Sequence, residues 1–306
     1  MQYTWKLIIV TLLVLGLAGS AFGQLGMWSK ESRVEFTREW KGERFEDGRP
    51  KVPDELVARL GKISAEEAWG TLRRHGYTLQ FEGNWKVINP GEKRLVGRVV
   101  TGVFMPRRPD VHEVIADNGK KEERTQSGGQ NSWLIDALVQ GDVLVVDLFG
   151  KIKDGTFAGD NLATSIYAKS GTGLIVDGSV RDLTGIQEIK GFRGYVRGFD
   201  PSAIADVTLM GINVPIRIGD VTVMPGDIVV SDPEGLTFIP PHLAEEVAER
   251  AELTQARDTW GHQMLREGKY TPGEIDTRWT EEMNQEFNKW AESQGLKARI
   301  RPRPPE

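Results

Sequence analysis

Two short apolar runs, each ending in a glycine turn, constrain the fold of this chain more than any other feature. Residues 143–150 form the first run and residues 173–178 form the second, with a stretch of helical character at residues 162–170 between them. Short apolar runs that end in glycine are typical of buried strands. The segment therefore predicts a strand, a loop, a helix and a second strand within an α/β core.

Charged residues stand where each predicted strand leads into a turn. Asp160 lies at the predicted start of the helix, and Arg181 with Asp182 follows the second strand after an interval of twenty residues. The ends of neighbouring strands meet at one edge of a sheet, so we expect these side chains to lie close together. A cation and two carboxylates at such an edge suit a site for a metal ion and an oxyacid.

Each of these residues also has a structural explanation. Asp160 could simply cap its helix, and Arg181 with Asp182 could be a surface ion pair. Asp227 and Asp232 lie in glycine turns and are better explained as turn formers. The ordered spacing of the first three residues favours a functional interpretation for them.

The pattern resembles the aldolase/RraA-like family, which contains 4-hydroxy-4-methyl-2-oxoglutarate aldolase and the regulator of ribonuclease E activity. Three segments carry the resemblance: residues 159–163 (Gly-Asp-Asn-Leu-Ala), 177–182 (Asp-Gly-Ser-Val-Arg-Asp) and 221–236, with its strand, turn, strand and turn. The similarity covers roughly residues 62–242. It implies a layered ββα core of the swivelling-domain type that assembles as a homotrimer or hexamer.

The resemblance also implies an activity, namely a metal-dependent (class II) lyase that cleaves a 4-hydroxy-2-oxo acid to pyruvate. Some members of the family also decarboxylate oxaloacetate. By this resemblance Asp182 would hold the metal ion, and Arg181 would act on the substrate oxyanion as a catalytic residue. Asp160, the other catalytic candidate, would hold water near the metal or orient Arg181. A neighbouring subunit would contribute a further acidic residue, which the sequence does not identify.

The substrate carboxylate would be bound at the start of the predicted helix. Gly159 leads into it, and the free backbone amides of Asn161, Leu162 and Ala163 would form an anion site together with the helix dipole. Arg197, within the segment Tyr-Val-Arg-Gly-Phe, resembles a family residue close to the site and is a further candidate for substrate binding.

Composition narrows the classes of metal and partner. The chain has no cysteine, and its four histidines are scattered, which argues against a thiolate or histidine-rich zinc site. Carboxylate oxygens favour a hard cation such as Mg²⁺ or Mn²⁺. The formal net charge is −5 with both signs well mixed. This pattern lacks the basic face that nucleic-acid binding requires, so we expect no nucleic-acid partner.

Residues 1–23 have the features of a secretory signal peptide. Lys6 precedes an uncharged run, and small residues two apart stand just before Gln24. We expect cleavage there, export to the periplasm or beyond, and no stable membrane anchor afterwards. An uncleaved anchor is the alternative, although the run is short for a hydrocarbon layer of about 30 Å.

The rest of the chain divides into three predicted parts. Residues 24–61 are predicted to form an arm on the surface, residues 62–242 the core domain, and residues 243–306 a helical extension with a tail. Within the core, the capping box that begins at Ser64 predicts a helix to Arg74. A further helix is predicted at residues 133–139 and a strand at residues 95–104.

The extension is predicted to contain one helix at residues 243–266 and a second that starts at the capping box of Thr271 and ends at Gly295. Apolar residues at helical spacing in the second helix form one stripe: Ile275, Trp279, Met283, Phe287 and Trp290. Such a stripe usually packs inside its own chain, and a surface for a partner protein is the alternative.

Two other functions compete with the lyase. A non-catalytic binding or regulatory protein of the RraA type is the main alternative, although an exported chain would not meet a cytoplasmic ribonuclease. A methyltransferase is the other, and the sequence has no glycine-rich nucleotide loop after an early strand. The sequence therefore favours the lyase.

Overall fold

The structure is a computed structural model that describes residues 28–124, 129–296 and 300. The predicted signal peptide, its cleavage point and residues 301–306 of the tail lie outside the described residues. Among the helices of the described part, none has the length and apolar character needed to cross a membrane.

The described chain alternates between helices and strands. The helices are α1 (Lys30–Phe36), α2 (Asp54–Leu60), α3 (Ala65–Arg74), α4 (Pro109–Lys121), α5 (Gln130–Asp136), α6 (Asp160–Ser170), α7 (Leu183–Gln187), α8 (Ala244–Arg266), α9 (Pro272–Ile275) and α10 (Glu281–Ser293), with a 3₁₀ turn at Pro241–Leu243. The strands are β1 (Phe81–Glu82), β2 (Lys86–Ile88), β3 (Val96–Pro106), β4 (Asp142–Thr156), β5 (Gly173–Val180), β6 (Arg193–Phe199), β7 (Val207–Ile212), β8 (Ile216–Ile218), β9 (Val221–Val223), β10 (Ile228–Ser231) and β11 (Leu236–Ile239).

The strands form one mixed sheet and a separate hairpin of β8 and β9. The order in the sheet is β1-β11-β10-β3-β4-β5-β6-β2, with β7 paired to β3. Strands β3, β4, β5 and β6 run parallel to one another. Their carboxyl ends therefore meet at one edge, where parallel sheets usually carry their sites.

The sheet is buried on both faces. Leu144 and Val146 of β4 pack with α5, α6 and α7 on one face, whereas Val143 and Val145 pack under the β8–β9 hairpin on the other. Helices α2, α3 and α8 cover the part formed by β10 and β11. Burial on both faces explains why the core strands are continuous apolar runs instead of alternating ones. The predicted α/β class with a layered core and a helical C-terminal extension is confirmed.

The predicted strand, helix and strand are present, but the helix starts earlier than predicted. α6 begins at Asp160 because Gly159 takes an extended N-cap conformation, with φ −104° and ψ −168°. β4 is also longer than predicted. Its pairing with β5 shifts from Asp147 opposite Asp177 to Thr156 opposite Ser179, so the intervening residues bulge from the ladder.

Other predicted elements are present with different bounds. The capping box of Ser64 and Glu67 is formed, and α3 ends at Arg74 as predicted. The helix predicted at residues 133–139 is α5 (Gln130–Asp136), which begins three residues earlier after the N-cap Gly129. The strand predicted at residues 95–104 is β3.

The arm is fixed to the sheet by a buried ion pair. Arg49 is 2% exposed and Asp142, at the start of β4, is fully buried. The Nη1 and Nη2 atoms of Arg49 donate to Oδ1 and Oδ2 of Asp142 at 3.2 and 3.3 Å. Val52 of the arm is also fully buried. The predicted domain boundaries themselves stay predictions.

In the extension, α8 matches the first predicted helix, whereas the prediction of one continuous second helix was wrong. The chain forms α9 from the capping box of Thr271 and then starts α10 anew, because the Thr280 side chain accepts a hydrogen bond from the Met283 amide. The predicted apolar stripe packs inside the chain: Phe287 is fully buried beside Trp260.

Candidate active site

The candidate site lies at the carboxyl edge of β4 and β5, where two loops are tied together. The first loop runs from the end of β4 to Gly159, and the second carries Arg181 and Asp182 after β5. The Arg181 amide donates to the Ala158 carbonyl at 3.0 Å. This backbone bond sets the Arg-Asp pair directly beside the start of α6.

Gly159 lies in contact with this pair. A Cβ atom at position 159 would stand 3.3 Å from Arg181 Nε and would overlap the Asp182 carboxylate. The backbone angles of Gly159 are extended and open to any residue. The close approach of the Asp182 carboxylate is therefore what favours glycine here, because a Cβ would displace that carboxylate.

Asp182 has a backbone conformation that few non-glycine residues adopt. It lies in the left-handed region, with φ 52° and ψ 41°, as the N-cap residue of α7. Its carbonyl accepts the amide of Ile186 at 3.1 Å, which begins that helix. Such strain persists only where the surroundings enforce it, and it clusters at functional sites. The side chain is 46% exposed, so its carboxylate is open to a ligand.

Arg181 is available to bind an anion. Its Nε atom lies 3.6 Å from Asp182 Oδ2, an ion pair too long to be a hydrogen bond. Within the described residues the terminal nitrogens of Arg181 have no hydrogen-bond acceptor, and the side chain is 44% exposed. The guanidinium fork is suited to a carboxylate or an enolate.

Asp160 is the first residue of α6 and not its N-cap, so capping does not account for it. Its Oδ1 atom accepts the amide of Asn161 at 2.7 Å. Its other carboxylate oxygen packs against Gly185, where an added Cβ would stand 2.8 Å away. Asp160 therefore lies between the first turns of α6 and α7.

The earlier start of α6 also shifts the available amides. The amide of Ala163 donates to the Gly159 carbonyl at 2.9 Å, so the prediction that it is free was wrong. Asn161 is exposed and Leu162 half-buried. The Asn161 amide is occupied by Asp160 Oδ1, so it is not free either. Helical geometry leaves the amides of Asp160 and Leu162 without an intrahelical partner, and such amides are where a helix binds anions.

The structure does not bring Arg197 to this group. Its Nε atom donates to Asp177 at 2.7 Å and its Nη2 atom pairs with Glu82, while its guanidinium stacks 3.8 Å from the Trp85 ring. Along β6, Arg197 follows Val196, which packs with the helices, so Arg197 faces the opposite side of the sheet. A structural ion-pair network therefore accounts for Arg197, which is not part of the candidate site.

Asn131 supports the site, although no sequence pattern selects it. This α5 residue is 6% exposed and its Nδ2 atom donates to the Phe157 carbonyl at 2.7 Å. The bond fixes the loop two residues before Gly159. A single asparagine in a short helix carries no local pattern, and only the long-range contact reveals its role.

The donor chemistry fits a hard cation that is held by few protein atoms. The described residues contain no group of three or more His, Cys, Asp or Glu side chains arranged to hold a metal ion. Asp182 and Asp160 supply oxygen donors only, and Mg²⁺ commonly keeps several waters when one or two carboxylates bind it. The arrangement can thus bind an anion beside a cation at the start of α6.

Comparison with known proteins gives the class to which this fold and site belong. The family model described as RraA-like, Aldolase/RraA, matches residues 65–238, which is more than half of the chain. The chain is a member of the aldolase/RraA family.

One curated relative and two solved structures show how far the similarity extends. A protein of Halalkalibacterium halodurans described as a putative 4-hydroxy-4-methyl-2-oxoglutarate aldolase is 33% identical over 135 residues. The match covers 43% of this chain and 63% of that relative, so the chain spans less than two thirds of the relative's length.

An uncharacterized protein from Pseudomonas syringae has the same fold, with a TM-score of 0.62 and 21% identity over 77% of this chain and 98% of that one. RraAS2 of Streptomyces coelicolor, described as an unusual member of the RNase ES inhibitor RraA protein family, gives a TM-score of 0.56. It is 25% identical, and the match covers 72% of this chain and 98% of that one.

Proposed function

We propose that this protein is a divalent-metal-dependent lyase that cleaves a 4-hydroxy-2-oxo acid to pyruvate, with decarboxylation of oxaloacetate as a second activity. One observation carries the proposal: Arg181 and the strained Asp182 stand against Gly159 at the open start of α6. The similarity to the putative aldolase of Halalkalibacterium halodurans supports the same reaction class.

The chemistry explains why these groups are needed. Retro-aldol cleavage removes the proton of the 4-hydroxyl group, breaks the bond between C3 and C4, and leaves the electron pair on the enolate of pyruvate. The enolate then takes up a proton at C3. Negative charge therefore grows on the 2-oxygen, and a preorganised cation beside it lowers the barrier.

Each residue of the site has a part in this reaction. Arg181 binds the developing oxyanion through its free guanidinium nitrogens. The Leu162 amide at the start of α6 binds and orients the substrate carboxylate. Asp160 fixes this first turn by accepting the Asn161 amide, and its second oxygen is available to hold water.

Mg²⁺ or Mn²⁺ would be held by Asp182, with Asp160 nearby, and would supply Lewis-acid polarisation of the 2-oxo group. A homotrimer or hexamer, and export after removal of residues 1–23, complete the proposal. In such an assembly a neighbouring subunit would provide the further acidic residue that the family resemblance implies.

The test is pyruvate release from 4-hydroxy-4-methyl-2-oxoglutarate and from oxaloacetate, with Mg²⁺ or Mn²⁺ and with EDTA. We expect metal-dependent release that falls by about 100-fold or more in Asp182→Ala and in Arg181→Gln, since both act on charge that develops in the reaction. Arg38→Gln is the matched control, because Arg38 is exposed on the arm. Unchanged turnover in Asp182→Ala would contradict the site.

A non-catalytic regulator is the second candidate, and the likeness to RraAS2 of Streptomyces coelicolor favours it. A folded protein that releases no pyruvate with either substrate and either metal would support this alternative. Inhibition of a purified endoribonuclease in a cleavage assay would then be the discriminating measurement.

A further inference from the structure

A cavity of 340 Å³ lies beside the candidate site but shares none of its charged residues. It is lined by residues of α4, α5, the end of β3 and the segment that leads into β7, and it opens to solvent. Its volume lies in the range of about 300–1,000 Å³ that is usual for small-molecule sites. Asp160, Arg181 and Asp182 do not line it.

The cavity has an apolar interior. Phe104 and Trp133 are buried at 2% and 7% exposure, and Ile204 and Val207 complete the apolar wall. α4 is fixed over α5 at Gly119, which has no side chain and sits against the Trp133 ring. Helices α4 and α5 are therefore packed together at one end of the cavity. The space beside this contact is not filled by the described side chains.

The mouth of the cavity is positively charged. Arg107 and Lys120 lie on its rim with one carboxylate, Asp206, among the described lining residues. Lys120 is paired with Asp117 at 2.9 Å, whereas the Arg107 guanidinium has no acceptor within the described residues. Arg107 therefore carries a permanent positive charge that is available to an anionic ligand.

His112 adds a polar group without adding charge. Burial, and then the charge of Arg107, lowers the pKa of His112 below its ordinary value. Its Nδ1 atom lies 2.9 Å from Thr208 Oγ1. The neutral imidazole therefore contributes hydrogen bonding, and the positive charge available to a ligand at the mouth is that of Arg107.

We propose that this cavity binds a small organic anion that combines a carboxylate with an apolar body. The carboxylate meets Arg107 at the mouth, and the apolar part fills the space between Phe104 and Trp133. Asn131 and Phe104 line the cavity and also touch Phe157, through a hydrogen bond and an edge-to-face contact at 6.1 Å. An occupant therefore touches the residues that fix the loop before Gly159.

The experiment is calorimetric titration of the purified protein with benzoate, with its neutral counterpart benzamide, and with inorganic phosphate. We expect benzoate to bind with a stoichiometry near one per chain, and both benzamide and phosphate to bind at least about tenfold more weakly. Phosphate binding that equals or exceeds benzoate binding would overturn the proposal that the cavity binds an apolar body.

Two variants and a matched control locate the binding. Arg107→Gln should weaken benzoate by about tenfold or more. The neighbouring Arg108→Gln should leave it unchanged, because Arg108 is paired with Asp110 and does not line the cavity. Ala116→Leu, which fills the space from α4, should abolish binding. Thermal unfolding checks that the variants fold. The proposal fails if the protein does not bind benzoate or if the two arginine variants bind it equally.

Discussion

At the scale of single residues, the geometry of the candidate site depends on the lack of a side chain at position 159. Gly159 has an extended backbone, and the reason for glycine is the space taken by Asp182 and Arg181. The Asp182 side chain is already held by a left-handed backbone. Its carboxylate is the group that an added Cβ at position 159 would displace.

We expect Gly159→Ala to abolish most lyase turnover without unfolding the protein. The new methyl displaces the Asp182 carboxylate, and a displacement of about 1 Å at a reacting centre can cost about 100-fold in rate. Pyruvate release and circular dichroism are the measurements. Gly70→Ala is the control, because no atom lies within 4 Å of a Cβ at that helical position. Equal activity in the two variants would show that the contact is unimportant.

At the scale of elements, the turn between β9 and β10 contains a buried carboxyl group that has no counterion in the part of the chain that the structure describes. The Asp227 side chain is 3% exposed and accepts the Met224 amide at 2.8 Å. Burial raises the pKa of Asp227 to about 8, against which this hydrogen bond acts only weakly. Asp227 is thus a turn former, as the sequence predicted, but one that folds in its protonated form.

The raised pKa of Asp227 makes the free energy of unfolding depend on pH. Between the unfolded pKa of 3.8 and the folded pKa of about 8, the folded state holds a proton that the unfolded state has lost. The free energy of unfolding should therefore fall as the pH rises through this window, by up to about 1.4 kcal/mol per pH unit. Below the window the Asp227 contribution is constant.

We expect Asp227→Asn to remove this slope. The amide keeps an oxygen for the Met224 bond and cannot ionise, so the variant should gain stability over the parent as the pH approaches 8. Urea unfolding at several pH values is the measurement. Parallel stability curves for the two proteins would mean that Asp227 does not titrate in this window.

The elements also show what the sequence could and could not predict. The places of Asp160 and Arg181 follow from local patterns, because strand ends and helix starts are marked by glycine and by apolar runs. The pairing of Arg197 with Asp177 and the support from Asn131 depend on strand register and on contacts between distant segments. Local spacing carries no information about either.

At the scale of the whole molecule, a buried charge pair joins the N-terminal arm to the core. Arg49 reaches Asp142 at the start of β4, and Asp142 also accepts the Val139 amide at 3.0 Å. Arg98 lies in the same region and donates to the Val52 carbonyl at 2.8 Å. The arm is therefore joined to the strand that leads to the candidate site.

Removing one partner of a buried pair leaves an uncompensated charge, which costs about 3–5 kcal/mol. We expect Arg49→Met to lower the free energy of unfolding by that amount, as measured with urea. Adding Asp142→Asn should restore much of it, because the amide is neutral and keeps an acceptor for Val139. Arg38→Met, on the exposed side of the arm, should change the value by less than about 0.5 kcal/mol. A loss in Arg49→Met no larger than in Arg38→Met, or no recovery in the double variant, would show that the pair does not couple the arm to the core.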